Sequence, residues 1–266
     1  MSMAPRLHVG RDGLRLDGEP FALEDGAARH IQVLRLQPGD GVRLFDGQGQ
    51  EWAAEVTEMG RKQVHVRLGE RLANDRELPV RVTLAIGMPA NDRMDAVVEK
   101  ATELGVHAIQ PLLCARSVLR LDGERAAKKV AHWQAVAVSA SEQCGRAVVP
   151  IVAPVQTLSH WLKADQAQPV AAHRGVLSLR DAVGVWGWLQ TRHAQTSGDA
   201  LAASDSWCFL NGPEGGLTPD EEALALAQGW TAVSLGKRVL RADTAPLAVL
   251  GVMAALLEGH GSPPSD

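Results

Sequence analysis

Three stretches of the chain concentrate residue types that could do chemistry. They are the turn Gly212-Pro213-Glu214-Gly215-Gly216, the run 235–241 with its cations Lys237, Arg238 and Arg241 just ahead of Asp243, and the pair Glu142 and Arg146. A glycine-rich turn after an apolar strand raises the question of phosphate, because backbone N–H groups and a helix N-terminus attract anions. Here the following helix opens Thr218-Pro219-Asp220-Glu221-Glu222. Thr218 and Glu221 form a predicted capping box, Pro219 suits the first helical position, and the positive helix end is served by the protein's own acids. No Walker lysine and no GxGxxG occurs, which argues against nucleoside triphosphate and dinucleotide ligands. What remains is a turn offering bare backbone, with an electronegative margin, to a ligand neutral or cationic in its reacting part. An adenosine sulfonium fits that description; the alternative is a turn that serves chain reversal alone. Arg241, between two apolar runs, would be costly to bury unpaired, so it is expected to face Asp243, Glu214 or a substrate phosphate.

The elements that must position these residues follow from pattern. Over residues 6–72 short stretches are broken by Asp12-Gly13, Asp17-Gly18, Pro38-Gly39 and Asp46-Gly47, which predicts a small β-barrel. Its clearest strand is 63–68, where Val64, Val66 and Leu68 alternate with polar residues. A helix over 24–36 would carry Arg29, His30 and Arg35 together, either facing phosphates or forming an ordinary solvated face. Residues 73–79 read as a linker. From Val80 onward strand and helix alternate: strand 80–86, helix 92–104 ended by Gly105, strand 108–113, helix 124–144, an extended piece 148–155 and strand 169–173. A loop over 195–206, strand 208–210, a helix from Thr218, strand 231–235 and a last helix, apolar nearly all round, complete the order. The predicted fold class is α/β with a mainly parallel sheet, in two unlike domains spanning 1–74 and 79–259, and a disordered tail 260–266.

Composition bounds the function further. The 266 residues are 45% hydrophobic, enough for a real core, and the net charge of −4 gives no global case for nucleic acid, so any such partner must meet a local patch. Arginine far outnumbers lysine, which suits bidentate phosphate contacts, or reflects GC-rich codons. No apolar run approaches the roughly 20 residues of a membrane span and the start shows no signal-peptide pattern, so a cytoplasmic location is expected. Cys114, Cys144 and Cys208 are odd in number and widely spaced, so buried thiols are expected rather than disulfides or a metal site.

Several ordered motifs resemble one family. They are His30 with Val33-Leu34-Arg35, Phe45-Asp46-Gly47, the run 100–106 with Ile109 and Pro111, Arg116-Ser117-Val118, Glu142-Gln143 with Arg146 and Pro150, the turn 212–216, and 234–245. The chain is similar to the RsmE family, the 16S ribosomal RNA uridine-N3 methyltransferases of the SPOUT superfamily. Two departures stand out: Asp243 where glutamate is more frequent, and Asn211 where an aliphatic residue is usual. The resemblance implies a PUA-like barrel that helps hold RNA, through Arg29, His30 and Arg35, and a SPOUT domain whose C-terminal part is tied in a trefoil knot. It implies an S-adenosylmethionine pocket built from His173 and Gly175, from Gly212, Pro213, Glu214, Gly215 and Gly216, and from Leu235, Gly236, Val239, Leu240 and Arg241. It further implies a homodimer through the last helix, no metal, and 16S ribosomal RNA or the small ribosomal subunit as partner. For the reaction, Arg241 and Arg146 are candidates to hold the target base or its phosphates, with Asp243 and Glu142 orienting them or accepting a proton. The competing expectations are a SPOUT enzyme acting on a ribose 2′-hydroxyl or on transfer RNA, and a non-catalytic RNA-binding assembly factor.

Overall fold

A computed structural model describes residues 4–61, 63–90, 93–164, 173–196 and 206–258. The chain forms two compact units. Met1–Glu77 with Val138–Val149 make the first, and Leu78–Ala137 with Pro150–Asp266 the second. Segment 138–149 therefore returns to the first unit after the chain has entered the second.

In the first unit β1 (Arg6–His8), β2 (Phe21–Ala22), α1 (Asp25–Val33), β3 (Gly41–Phe45), β4 (Glu51–Met59) and β5 (Val64–Leu72) follow in order. The strands make a five-stranded sheet in the order β1-β3-β4-β5-β2, antiparallel except where β1 meets β3. The period-two reading of β5 holds: Val64, Val66 and Leu68 are buried while Arg67 faces solvent. They share one core with Leu7, Val42, Leu44, Val56 and, from α1, Ala28 and Ile31. The helix predicted to run to residue 36 stops at Val33, because Leu34 closes it and Arg35 turns into the left-handed region at φ 56°. Arg35 is thus not on the helix with Arg29 and His30.

In the second unit the order is β6 (Arg81–Gly87), α2 (Arg93–Glu103), β7 (Ala108–Leu113), α3 (Gly123–Cys144), β8 (Ile151–Val152), β9 (Gln156–Thr157), α4 (Leu158–Ala164), β10 (His173–Leu177), β11 (Val183–Gly184), α5 (Val185–Thr196), β12 (Ser206–Asn211), α6 (Pro219–Ala227), β13 (Thr231–Ser234) and α7 (Thr244–Glu258). The end of α3 belongs to the first unit. All strand pairings are parallel, in the order β11-β13-β10-β12-β6-β7-β8, with β9 also against β7. The predicted parallel α/β architecture is therefore present. Its strands read as apolar runs rather than alternations because both faces are covered. One side is filled by Leu112, Leu158, Leu162, Val176, Cys208, Leu210 and Trp230. α7 packs against α2, β6 and β12, burying Val249, Leu250 and Met253. The helix α5 was not legible in the sequence. Trp186 is half exposed whereas Trp188 is buried edge-on against Trp207 and Phe209, so the aromatic spacing shows no single face.

Two local details fix the helices. Asp95 of α2 bonds His132 Nε2 at 2.7 Å and accepts from Trp133 Nε1 at 2.9 Å, tying α2 to α3. The capping box of α6 forms as predicted: Thr218 Oγ1 accepts from Glu221 N at 3.2 Å and Glu221 Oε2 from Thr218 N at 2.8 Å. Several expectations fall elsewhere. The extended piece 148–155 yields only Ile151–Val152 as strand. The start of helix 92–104, residues 169–172 of the predicted strand, most of the loop 195–206 and the tail 260–266 lie outside the described residues. Cys114 and Cys208 are buried but Cys144 is only half so, because it ends α3.

Candidate functional site

Parallel strands all deliver their C-terminal ends to one edge of a sheet, and ligands of open α/β sheets bind in the crevice outside that edge. In the second unit β10, β12 and β13 end at Leu177, Asn211 and Ser234, and their continuations enclose a cavity of about 720 Å³. Its wall consists of 177–180 after β10, 211–217 after β12, and Val233, Leu235 and 238–242 from β13 onward. Leu177, Val233, Leu235, Leu217 and Ala245 give it an apolar wall, while Arg93, Arg116, Arg180, Arg238 and Arg241 with Glu214 and Glu222 bring charge.

The β12–α6 turn is rigid for steric reasons. A Cβ on Gly212 would lie 2.5 Å from Leu217 N and 2.7 Å from Gly216 C, so the turn closes on its own backbone. Gly216 N donates to Pro213 O at 2.8 Å with Gly216 at φ 67°. Arg116, itself a lining residue, donates from Nη1 to Gly215 O at 2.8 Å, and Ala115 N donates to Glu221 Oε1 at 2.7 Å. The Glu214 carboxylate accepts from Ala90 N at 2.8 Å, with Arg93 Nη1, another lining residue, at 3.4 Å. Asn211 ends β12 only 3% exposed and donates from Nδ2 to Gly212 O and to Ala242 O, both at 3.1 Å, clamping the two loops together.

These contacts extend the electrostatic expectation. Glu214 and Glu222 line the cavity, Glu214 bonded to Ala90 N and paired with Arg93, while Arg116, Arg180, Arg238 and Arg241 add positive charge to the same lining. Arg180, Arg238 and Arg241 are exposed, and among the described residues none of them forms an ion pair. Of the partners expected for Arg241, neither Asp243 nor Glu214 pairs with it; its side chain is exposed, which leaves the substrate phosphate, and its carbonyl accepts from Thr244 N and Ala245 N, starting α7.

Of the sequence-predicted ligand residues, Gly212, Pro213, Glu214, Gly215, Gly216, Leu235, Val239, Leu240 and Arg241 line the cavity. Gly236 does not; at φ 111° it makes a turn held by Ser234 Oγ. His173 and Gly175 do not either. β10 registers His173 on Trp207 and Gly175 on Phe209, in mid-sheet, so its cavity-facing end lies at 177–180. The difference arises because β10 starts only at His173, where the sequence pattern places its end. Leu177, Ser178, Leu179, Arg180, Asn211, Ala242 and Ala245 were missed; the strand-end rule applied to correct strand bounds would have found most of them.

Asp243, half-buried, sits beside the lining residues Ala242 and Arg241. Arg146 and Glu142 are placed in the first unit. Arg146 is 4% exposed and grips Glu77 Oε2 through Nε at 3.0 Å and Nη2 at 2.6 Å. Glu142 Oε1 accepts from His8 N at 3.0 Å, and its Oε2 stands 3.7 Å from His30 Nδ1. Arg29 and Arg35 are exposed. Cys114, near the cavity's outer brace, has its thiol pushed up to about 12 by burial and by the charge of Glu221, so it is no nucleophile.

The class is defined by two family models. One for an RNA methyltransferase domain matches residues 76–254, and one for an RNA methyltransferase PUA domain matches residues 23–69. Ribosomal RNA small subunit methyltransferase E of Synechocystis sp. is 35% identical over 227 residues, covering 85% of this chain and 70% of its own. That of Bacillus subtilis is 31% identical, covering 88% and 89%. A crystal structure of the Neisseria gonorrhoeae enzyme of that name, bound to S-adenosyl methionine, superposes with TM-score 0.80 at 34% identity over 95% of this chain and 98% of that one. A putative methyltransferase from Legionella pneumophila in complex with the cofactor SAM gives 0.83 at 30%, with the same coverage. The chain belongs to the ribosomal RNA small subunit methyltransferase E family.

Proposed function

We propose that the protein methylates N3 of a uridine in 16S ribosomal RNA with S-adenosylmethionine as donor. The observation that carries the reading is the cavity at the ends of β10, β12 and β13, walled by apolar side chains and bare backbone and rimmed by exposed arginines. The wall suits a nucleoside held largely by main-chain groups, and the rim suits a polyanion. When bound, the donor supplies a methyl on a sulfonium, which becomes a neutral thioether as the N3–CH3 bond forms.

The chain's own work is positioning and charge. Fixing methyl and acceptor in line can contribute several kcal/mol, and the turn 212–217, closed on itself and braced by Arg116, is a rigid support for that. As the N3 proton leaves, negative charge spreads over the uracil imide; a guanidinium at the mouth stabilises it. Arg241 is the residue assigned that part, with Asp243 orienting it or taking the proton. Arg146 and Glu142 are read as structural, since their polar atoms are engaged within the first unit. Arg29, His30 and Arg35 remain the candidates for RNA contact there.

The reading includes a trefoil-knotted path for the loops around the cavity and a homodimer through α7, whose Leu247, Val252, Leu256 and Leu257 stay partly exposed. It also places the protein in the cytoplasm beside its ribosomal substrate; no helix among the described residues is long and apolar enough to cross a membrane. Nucleoside mass spectrometry of ribosomal RNA from a deletion strain tests the reaction. Loss of 3-methyluridine, restored by the wild-type gene, supports it; an unchanged profile removes it, and loss of a 2′-O-methyl or a transfer RNA mark substitutes the competing enzymes.

A further inference from the structure

The clamp at Asn211 leaves one atom unused. Both hydrogens of its amide are committed, one to Gly212 O and one to Ala242 O, each at 3.1 Å, and those two carbonyls fix which end of the amide is nitrogen. Its Oδ1 is buried and has no hydrogen-bond partner, and the residue lines the cavity. A buried carbonyl oxygen left without a donor is destabilising, and such atoms are commonly completed by a ligand or water. An aliphatic side chain would fill the same place without that cost.

The surroundings select the ligand group. Val233 is fully buried, and Leu177, Leu217, Leu235 and Ala245 give walls that suit a flat heteroaromatic ring and not an ammonium or a carboxylate. The charged side chains of the lining, five arginines and the carboxylates of Glu214 and Glu222, belong to other positions and suit the polar parts of a nucleoside. The one N–H donor an adenine ring system offers, once linked through its ribose, is its exocyclic amine. We infer that Asn211 Oδ1 accepts a hydrogen bond from the 6-amino group of the bound adenosine, so that this residue selects adenine while its amide nitrogen holds the two loops in register. The inference rests on the cavity binding S-adenosylmethionine as proposed above.

Isothermal titration calorimetry with two ligands, S-adenosylhomocysteine and its 6-deamino purine analogue, on wild type and Asn211→Leu, separates the two. In wild type, removal of the amino group should weaken binding about tenfold. In Asn211→Leu the two ligands should bind within about twofold of each other, whatever the variant's absolute affinity. A merely structural clamp would lower both affinities and leave their ratio as in wild type, which overturns the inference. Equal binding of both ligands by wild type overturns it equally, and decides the matter alone if the variant does not fold. If wild type fails to bind S-adenosylhomocysteine at all, the cofactor reading falls and takes the inference with it.

Discussion

Two groups of arginines, one from each unit, are used in opposite ways. In the first, Arg6 lies 8% exposed against Glu51, which is 2% exposed, and also donates to the carbonyls of Ser141, Glu142 and Arg146. Arg146 is answered there by Glu77 in the same manner. In the second unit Arg180, Arg238 and Arg241 surround a cavity and none has an ion-pair partner among the described residues. A buried guanidinium must be matched internally because desolvation is too costly otherwise, whereas one left in solvent keeps its charge available to an incoming anion. The difference separates arginines that hold the fold from arginines that can serve a substrate, although both kinds look alike in the sequence.

The contrast is most exposed to test at Arg146. Arg146→Ala removes the ion-pair partner of Glu77, which is 29% exposed and keeps its bond from Val148 N, and should destabilise the first unit by about 1–3 kcal/mol, read as a lower midpoint in urea. A variant of wild-type stability with abolished methylation would instead return Arg146 to the reaction. Next, Arg241→Ala should keep the thermal midpoint yet lower methylation of small-subunit RNA by roughly 10²–10³-fold, as loss of a charge-stabilising group does. Wild-type turnover would erase the distinction between the two groups of arginines.

Acid separates them less sharply. Burial pushes the Glu51 carboxyl up, but bonds from Arg6 and Asn74 and the charge of Arg43 outweigh it and hold it below its ordinary value. A depressed native value means that its stabilisation is present at neutral pH and is lost as pH falls below the ordinary carboxylate range. Asp95 of the second unit behaves alike: burial raises it, but bonds from His132 and Trp133 outweigh that and hold it below its ordinary value. Denaturant midpoints measured downward from pH 6 should therefore decline for wild type, and Glu51→Gln should flatten part of that decline; an equally steep curve contradicts the assignment. Within the second unit Thr218→Ala removes the α6 cap and should cost about 1 kcal/mol. The smallest effect expected is chemical: at pH 8 a thiol reagent should modify Cys144 before Cys114, whose thiol is raised to about 12 and buried. Prompt labelling of Cys114 would show that the loops bracing the cavity open readily.

Local signals carried much of the structure. The period of β5, the capping box at Thr218 and the change at Val80 to alternating strand and helix all depend on nearest neighbours along the chain, and each is realised. The turn 212–216 and the run 238–241 were legible as ligand loops for the same reason: glycine and arginine patterns report backbone and charge locally. Helix α5 was not, because the burial of Trp188 depends on Trp207 and Phe209, which are distant in sequence.

By itself the sequence determined the α/β class, the family motifs and two of the three cavity loops. Only the tertiary structure decided that β10 presents 177–180 rather than His173 and Gly175, since that follows from its register on β12. It also decided that Arg146 and Glu142 find polar partners in the first unit while Arg241 lines the cavity exposed, and that Asn211 spans two loops with an oxygen to spare. The physical reason is common to all three: which partner satisfies a charge or a buried polar atom is set by neighbours brought together from far apart in the chain.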